Sequence, residues 1–339
     1  MSTYQRALGL PRAATGSGRW LRTALLASLV VALVLAGQSP VHAQGGAAYL
    51  KMGVGARAIG MGGAFTAVAD DATALYWNPA GIAKLRRAEA TAMHAQLSLD
   101  RDFDFVGYAT PVTTGSGAWG ASYTRFAVSG IPETKVRPGT NAAQLTDDFY
   151  DVSGNFLAAG PGLGTVRIFS LFDDVEQSVT GSYARKVDDK LYLGGTLRHL
   201  RQSLYTADGS GFGIDLGALY VPGPKWTFGV TAKDVGESID FGSAAHDAKV
   251  DVTISGGAAY SGFKNTLVSA EATRTGHRGF KMRAGAERWF DEKYAVRLGV
   301  NEGDLSAGAS LRANDWQFDY AFQAQDLGDI QRLSVAKRF

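Results

Sequence analysis

From about residue 89 to the C-terminal Phe339, apolar and polar side chains alternate in fourteen successive stretches, with no helical period between them. Alternation at period two belongs to a strand whose two faces meet different surroundings. The stretches fall at 89–98, 102–111, 118–128, 176–187, 191–203, 212–221, 226–234, 250–260, 266–273, 280–289, 294–300, 305–312, 316–323 and 331–339. So many two-faced strands in succession fold either into a sandwich, apolar faces inward, or into a barrel with lipid outside and water inside.

The faces separate cleanly in several strands. Trp316, Phe318, Tyr320 and Phe322 alternate with Gln317, Asp319, Ala321 and Gln323, and Tyr294, Val296, Leu298 and Val300 with Ala295, Arg297 and Gly299. The gaps decide between the two architectures. Counted from the first strand, the even-numbered gaps are short, at 112–117, 188–190, 222–225, 261–265, 290–293 and 313–315. The two long gaps, 129–175 with Pro132, Pro138 and Pro161, and 235–249, are both odd-numbered. Outer-membrane barrels have short turns on the periplasmic side and long loops outside, whereas a sandwich has no reason to sort its loops by parity. The fold class read from the sequence is therefore all-β: a 14-stranded antiparallel transmembrane β-barrel.

The start of the chain fits export. Arg6, Arg12, Arg19 and Arg22 precede an apolar run at 23–36, followed by Pro40 and the small-residue site Val41-His42-Ala43. This is the layout of a secretory signal peptide, and its apolar run is shorter than the roughly 20 residues that span a bilayer. Residues 1–43 are read as the signal peptide, with the mature chain starting at Gln44; an uncleaved anchor helix is the alternative. Removing the four arginines takes Lys+Arg from 34 to 30 against 32 acids, so the formal charge turns from +2 to −2. Nothing in that balance points to nucleic acid. The chain has no Cys, which excludes disulfides, thiolate chemistry and Cys-ligated metal. Gly is unusually abundant, at 43 of 339 residues, as crowded walls and close backbone approaches require.

Residues 44–87 show no long alternation and are read as a hatch inside the barrel of residues 88–339. A short helix is expected at 72–76, capped by Asp70 or Asp71 and broken at Asn78-Pro79. Within the hatch, Leu50-Lys51-Met52-Gly53-Val54-Gly55-Ala56-Arg57-Ala58-Ile59-Gly60-Met61-Gly62-Gly63-Ala64-Phe65 leads to Ala69-Asp70-Asp71-Ala72-Thr73-Ala74-Leu75-Tyr76-Trp77-Asn78-Pro79-Ala80-Gly81. This run resembles the N-terminal signature of the PorV/PorQ family, within the wider FadL-like group of long-chain fatty-acid transporters. The resemblance implies a monomeric 14-stranded outer-membrane barrel with an N-terminal hatch. It implies one of two roles: passage of apolar small molecules, or service to type IX protein secretion and surface attachment. The terminal Phe339, with Val335 and Leu333 before it, is typical of chains handed to the barrel-assembly machinery; Lys337 departs from that pattern.

Gly53-Val54-Gly55-Ala56-Arg57-Ala58 matches the letters of a dinucleotide fingerprint, but no strand precedes it in a βαβ unit. Close packing of a plug against a wall is the better reading, and Gly60, Gly62, Gly63, Pro79 and Gly81 are expected to serve it. Phe65, Tyr76, Trp77 and Asn78 are candidate ligand contacts. Asp70 and Asp71 are read as capping a helix or bonding a wall arginine. Arg198, Lys233, Lys281, Arg283, Arg297 and Arg312, against Asp215, Asp251, Glu271, Glu287 and Asp319, are expected to face the lumen and pair across it. Beyond the leader, His94, His199, His246 and His277 lie in no nucleophile motif, so neither catalytic residues nor a metal or other cofactor is expected. The leading expectation is a non-enzymatic barrel of the bacterial outer membrane, surrounded by its lipid, that binds and passes hydrophobic, fatty-acid-like molecules. The alternative is an accessory protein that binds secreted proteins through the 129–175 loop.

Overall fold

Fourteen strands hydrogen-bond, neighbour to neighbour and all antiparallel, into one closed barrel. The computed structural model describes residues 46–97, 101–113, 116–136, 149–150, 156–158, 166–205, 207–242, 247–325 and 328–339. The leader read at 1–43 lies outside the described residues. In chain order the strands are β1 (Glu89–Leu97), β2 (Arg101–Pro111), β3 (Gly117–Val136), β4 (Phe149–Tyr150), β5 (Phe156–Ala158), β6 (Val166–Lys186), β7 (Leu191–Leu204), β8 (Ala207–Tyr220) and β9 (Trp226–Val235). They continue with β10 (Ser238–Ile239), β11 (Ala248–Lys249), β12 (Thr253–Phe263), β13 (Thr266–Thr275), β14 (Lys281–Phe290), β15 (Tyr294–Asn301), β16 (Asp304–Ala313), β17 (Trp316–Gln323) and β18 (Ile330–Arg338). β4–β5 and β10–β11 are small separate hairpins; the other strands form the wall. Closure runs through β1, whose Glu89 pairs with Ala109 on one side and Arg338 on the other. The Phe339 N–H then donates to the Ala88 carbonyl at 2.9 Å. No wall strand is left with an unpaired edge, which is what a sheet needs to sit in hydrocarbon.

The wall is inside-out relative to a soluble protein. On β15, Arg297 is 1% exposed while its neighbour Leu298 is 69% exposed. Phe280, Leu305, Phe318 and Leu333 also stand outward, whereas Gln317, Asp319 and Arg332 point into the lumen and are buried. Apolar surface left in water costs about 25 cal/mol per Å², so an exterior of this composition is stable against acyl chains. At the short-turn end, Trp226 lies 4.7 Å from Tyr260 between ring centroids, and Tyr260 lies 5.2 Å from Phe263. Such a girdle marks the interface of transmembrane barrels.

Two expectations about the gaps need correction. β3 and β6 overhang far beyond 118–128 and 176–187. Pro132 reads in sequence as loop punctuation, but it pairs with Leu171 between two register shifts, at Val128/Ile131 and Glu133/Thr134. Proline is tolerated where a bulge interrupts the ladder. The 235–249 gap likewise contains the β10–β11 hairpin.

The hatch fills the lumen with four short turns. They are 3-10 turns at Ala48–Lys51 and Pro79–Lys84 and α-helical turns at Ala56–Gly60 and Ala74–Trp77. The helix expected at 72–76 begins two residues late because Asp71 Oδ1 accepts from the Thr73 amide at 2.9 Å, holding that stretch in a turn. The other three turns are too short to leave a periodic signal.

Backbone approach fixes how the hatch sits. Gly62 has φ +66, and a Cβ there would meet the Val300 carbonyl at 2.6 Å. From the wall side, a Cβ on Gly299 would land on the Gly62 nitrogen, one on Gly229 on the Thr66 carbonyl, and one on Gly217 on the Asn78 side chain. Wall glycines thus form the seat on which the hatch backbone rests. Gly299→Val should destabilise the barrel by about 1–3 kcal/mol or more through overpacking. Gly181→Val, with nothing within 4 Å, should be neutral. Loss of heat-modifiable gel migration on heating measures both; equal midpoints for the two variants would refute the seat.

Candidate functional site

Ion pairs lock the hatch to the wall near the short-turn end. Arg57, on the hatch, donates to Asp70 at 2.5 Å, to Asp71 at 2.9 Å, and to both oxygens of Glu287 on β14 at 2.8 and 2.9 Å. Asp70 and Asp71 therefore bond an arginine of the hatch itself, not one of the wall. Glu287 also takes a bond from Arg297 at 2.6 Å, and Arg297 reaches Asp319 at 3.3 Å. Burial works against an ionised Asp70, but Arg57 and then Lys84 outweigh it and hold its carboxyl below the usual carboxylate range. Arg312 donates to Gln317 at 2.8 Å and lies over the Trp289 ring at 4.1 Å.

A second network closes the wall near β8 and β9. Arg198 on β7 pairs with Asp215, with Asp234 at 2.6 Å and with Glu237 at 3.1 Å, all four side chains being buried. It sits on the register shift between Ile214 and Leu216 where β8 meets β9, and Asp234 takes a left-handed φ of +63 there. Arg283 pairs with Glu271 at 3.3 Å, and Glu271 accepts the Thr66 amide at 2.9 Å. All six lumen charges expected from the sequence, Arg198, Arg283, Arg297, Arg312, Asp215 and Asp319, thus enter contacts inside the barrel.

The four candidate ligand contacts separate into two kinds. Phe65 is fully buried, with Arg57 over one face at 5.3 Å and Trp77 at 6.1 Å between centroids. Asn78 is spent on structure, donating to the Thr66 and Ala218 carbonyls at 2.9 and 3.2 Å. Tyr76 and Trp77 are different. Tyr76 donates to the Leu50 carbonyl at 2.6 Å and carries Lys233 over its ring at 3.6 Å. Trp77 donates from Nε1 to the Val54 carbonyl at 2.9 Å and packs edge-on against Tyr76. Both rings border open space.

That space is two adjoining chambers at the long-loop end. One, about 170 Å³, has Ile59 and Trp77 of the hatch on one side and Leu97, Arg101 and Arg332 of the wall on the other. The second, about 180 Å³, shares Lys51, Trp77 and Arg283 with it and adds Tyr76, Lys233 and Glu271. At the short-turn end, a cavity of about 370 Å³ lies among Arg57, Asp70, Trp289 and Arg338. The hatch stands between them.

A family model described as UPF0164, an uncharacterised protein family, matches residues 31–159. No curated protein matches the sequence. Among solved structures, the chain is similar to the toluene transporter TbuX of Ralstonia pickettii, at 15% identity over 85% of this chain and 98% of that one, with a TM-score of 0.57. It is similar to the Pseudomonas putida toluene transporter TodX, at 12% identity over 85% and 98%, TM-score 0.58. A Pseudomonas aeruginosa FadL homologue aligns at 11% identity over 84% and 98%, TM-score 0.56. The fold is that of these barrels.

Sequence reasoning missed Arg332, Asp234 and Glu237. Arg332 was legible: with Leu333 and Val335 outward, parity places it inward beside Ser334. Asp234 and Glu237 face inward only because a bulge ends the alternation of β9, which parity cannot foresee. Removing one partner of a buried ion network costs about 3–5 kcal/mol. Arg57→Ala should therefore loosen the hatch, raising single-channel conductance in planar bilayers and exposing residues 46–87 to protease. Wild-type conductance and protease resistance in this variant would contradict the locking role of Arg57.

Proposed function

We propose that the chain is a non-enzymatic barrel of the bacterial outer membrane that binds hydrophobic small molecules and passes them through its wall. The observation that carries this reading is the position of Tyr76 and Trp77. They are hatch aromatics with open chamber on one side and the sealed lumen on the other. A molecule arriving from the long-loop end meets these rings first. The barrel's likeness to two toluene transporters and a FadL homologue supports the reading. Fatty-acid-like ligands and PorV/PorQ kinship are the finer form of the same proposal, and Phe65 and Asn78 then act behind the rings, as packing and anchor. The short-turn end with both chain termini of the barrel faces the periplasm, and the exterior girdle meets lipid. Insertion is assigned to the barrel-assembly machinery, and the barrel is a monomer.

The domain plan read from the sequence, a leader at 1–43, a hatch at 44–87 and a barrel at 88–339, belongs to this proposal. The way out is the β8–β9 bulge, the wall irregularity filled on its inner side by Arg198 and its three carboxylates. A deletion strain should take up radiolabelled toluene or oleate several-fold more slowly than its parent. Complementation with Trp77→Ala should recover only part of that uptake, with a loss of up to about tenfold if the ring contributes the usual 0.5–1.5 kcal/mol of an aromatic contact. Unchanged uptake in the deletion strain across neutral and fatty-acid substrates would sink the transport reading.

A second reading, an accessory for secretion or surface attachment of exported proteins, is favoured by the buried filling of the lumen: Phe65, Leu75 and Ile82 are each 0–1% exposed. Such a barrel can act as a platform without passing anything. Of the loop that would bind the secreted partner, 129–175, the stretches 137–148, 151–155 and 159–165 lie outside the described residues. Co-purification of exported proteins with the wild type and not with a loop deletion is the outcome this reading requires.

A further inference from the structure

The two long-loop chambers share a wall but differ in charge. In the second, three carboxylates, Asp234, Glu271 and Glu302, offset the cations, and the nearest pairs are made: Lys281 to Glu302 at 2.5 Å and Arg283 to Glu271 at 3.3 Å. The first chamber is lined by four cations, Lys51, Arg101, Arg283 and Arg332, and, among the described residues, by no carboxylate. Arg332 is the sharpest case. Its side chain is 1% exposed, and among the described residues no carboxylate lies within ion-pair distance of it. Nη1 and Nη2 donate to the Gly53 and Met52 carbonyls, and Nε has no partner among the described residues. Those carbonyl bonds fasten the hatch, but they do not neutralise the guanidinium. Lys51 likewise has no carboxylate within ion-pair distance among the described residues, and burial lowers its pKa. A buried cation without a counter-charge is costly, and two of them on one cavity leave a positive potential there.

Ile59, Trp77, Leu97 and Ile330 supply an apolar part of the first chamber's lining, beside the neutral polar side chains Asn301, Gln323 and Gln325. Its volume of about 170 Å³ suits a body the size of one aromatic ring, since a cavity of about 150 Å³ holds benzene. A long acyl chain does not fit inside it.

We propose that this chamber is a binding site for a compact organic anion, an aromatic or short-chain carboxylate, held by Arg332 and Lys51 at its charged end and by Trp77 and Ile59 at its apolar end. The site rests on the transport reading only for what becomes of the ligand afterwards. Carboxylate to guanidinium is the strong, charge-assisted form of hydrogen bond, and Arg offers it through Nε as well as Nη. The unpartnered Nε then gains an acceptor, and a neutral ring of the same size lacks that gain.

The test uses the full barrel in detergent, with benzoate, toluene, oleate and inorganic phosphate titrated separately while intrinsic tryptophan emission and calorimetry are read. Benzoate should bind saturably and at least about tenfold more tightly than toluene, and its Kd should rise with salt. Lys51→Gln should weaken benzoate about tenfold, a change of about 1.4 kcal/mol, and leave toluene unaffected. Arg332→Gln should do the same; because Arg332 also fastens the hatch, its heat-modifiable migration is checked alongside. Benzoate binding no tighter than toluene, or unchanged in Lys51→Gln, overturns the proposal. So does oleate outcompeting benzoate, or phosphate displacing it at equal concentration, since either assigns the chamber a different ligand class. Toluene or oleate uptake without benzoate binding removes this site and leaves transport standing. Benzoate binding in a barrel whose deletion changes no uptake removes transport and leaves the site.

Discussion

Irregular backbone inside a barrel has to find hydrogen-bond partners other than its own, and here the wall side chains supply them. The Ala56 amide donates to Ser334 Oγ at 2.8 Å, Gly62 to Ser306 Oγ at 3.0 Å, Thr66 to Glu271 at 2.9 Å and Ala72 to Glu89 at 2.8 Å. Each of these acceptors stands on an inward position of a different strand. The hatch has four turns too short to satisfy themselves, and an unpaired buried amide costs about 1–3 kcal/mol. Its conformation is therefore dictated by the pattern of Ser and Glu around the lumen, together with the glycines that let its backbone come close. Fourteen strands enclose more space than their own side chains fill, since eight strands already give an interior just wide enough for side chains. The hatch supplies what is missing.

This dependence explains what the sequence made legible. Wall strands follow a rule that acts residue by residue: outward meets lipid, inward meets the lumen. The run from Tyr294 to Val300 states its own orientation, and loop parity then orders the strands. Arg297 and Asp319 could be placed inside the lumen from that rule alone. The hatch obeys no such local rule. Nothing in Ala56 or Thr66 announces that its amide needs Ser334 or Glu271, because the partner lies more than 200 positions away. The same applies to Asn78. Its neighbours Tyr76 and Trp77 suggested a ligand contact for all three, whereas its amide is consumed by the Ala218 carbonyl on the opposite wall. The β8–β9 bulge defeats parity in another way, since Asp234 enters the lumen out of phase with its strand.

The charges divide the interior by task. Around Arg57 and Arg297, cations and carboxylates alternate in space and hold the plug. Around Arg198 three carboxylates meet one guanidinium and fill a bulge in the wall. Around Arg332 and Lys51 the cations stand, among the described residues, without carboxylates and border open space. In the first two kinds each cation faces carboxylates, although Arg297 Nη2 and Glu237 Oε1 find no hydrogen-bond partner among the described residues, and a partly satisfied network is the less stable for it. The third kind has backbone carbonyls but no carboxylate within ion-pair distance among the described residues.

A route for an apolar molecule has to respect these costs. Passage along the barrel axis requires the hatch to leave its seat, which breaks the Arg57–Glu287 pair, the Thr66–Glu271 bond and the Asn78 anchors together, and strips several amides of their acceptors. Passage sideways through the β8–β9 bulge leaves all of those intact. It opens only the Arg198 cluster, which sits at the long-loop end beside the chamber bordered by Tyr76 and Lys233. The ladder there is already interrupted between Ile214 and Leu216, so fewer backbone bonds stand in the way than anywhere along β14 to β18, where the register is continuous. If the barrel passes apolar molecules as proposed, one that reaches Tyr76 therefore breaks fewer bonds by leaving through the wall than by continuing along the axis.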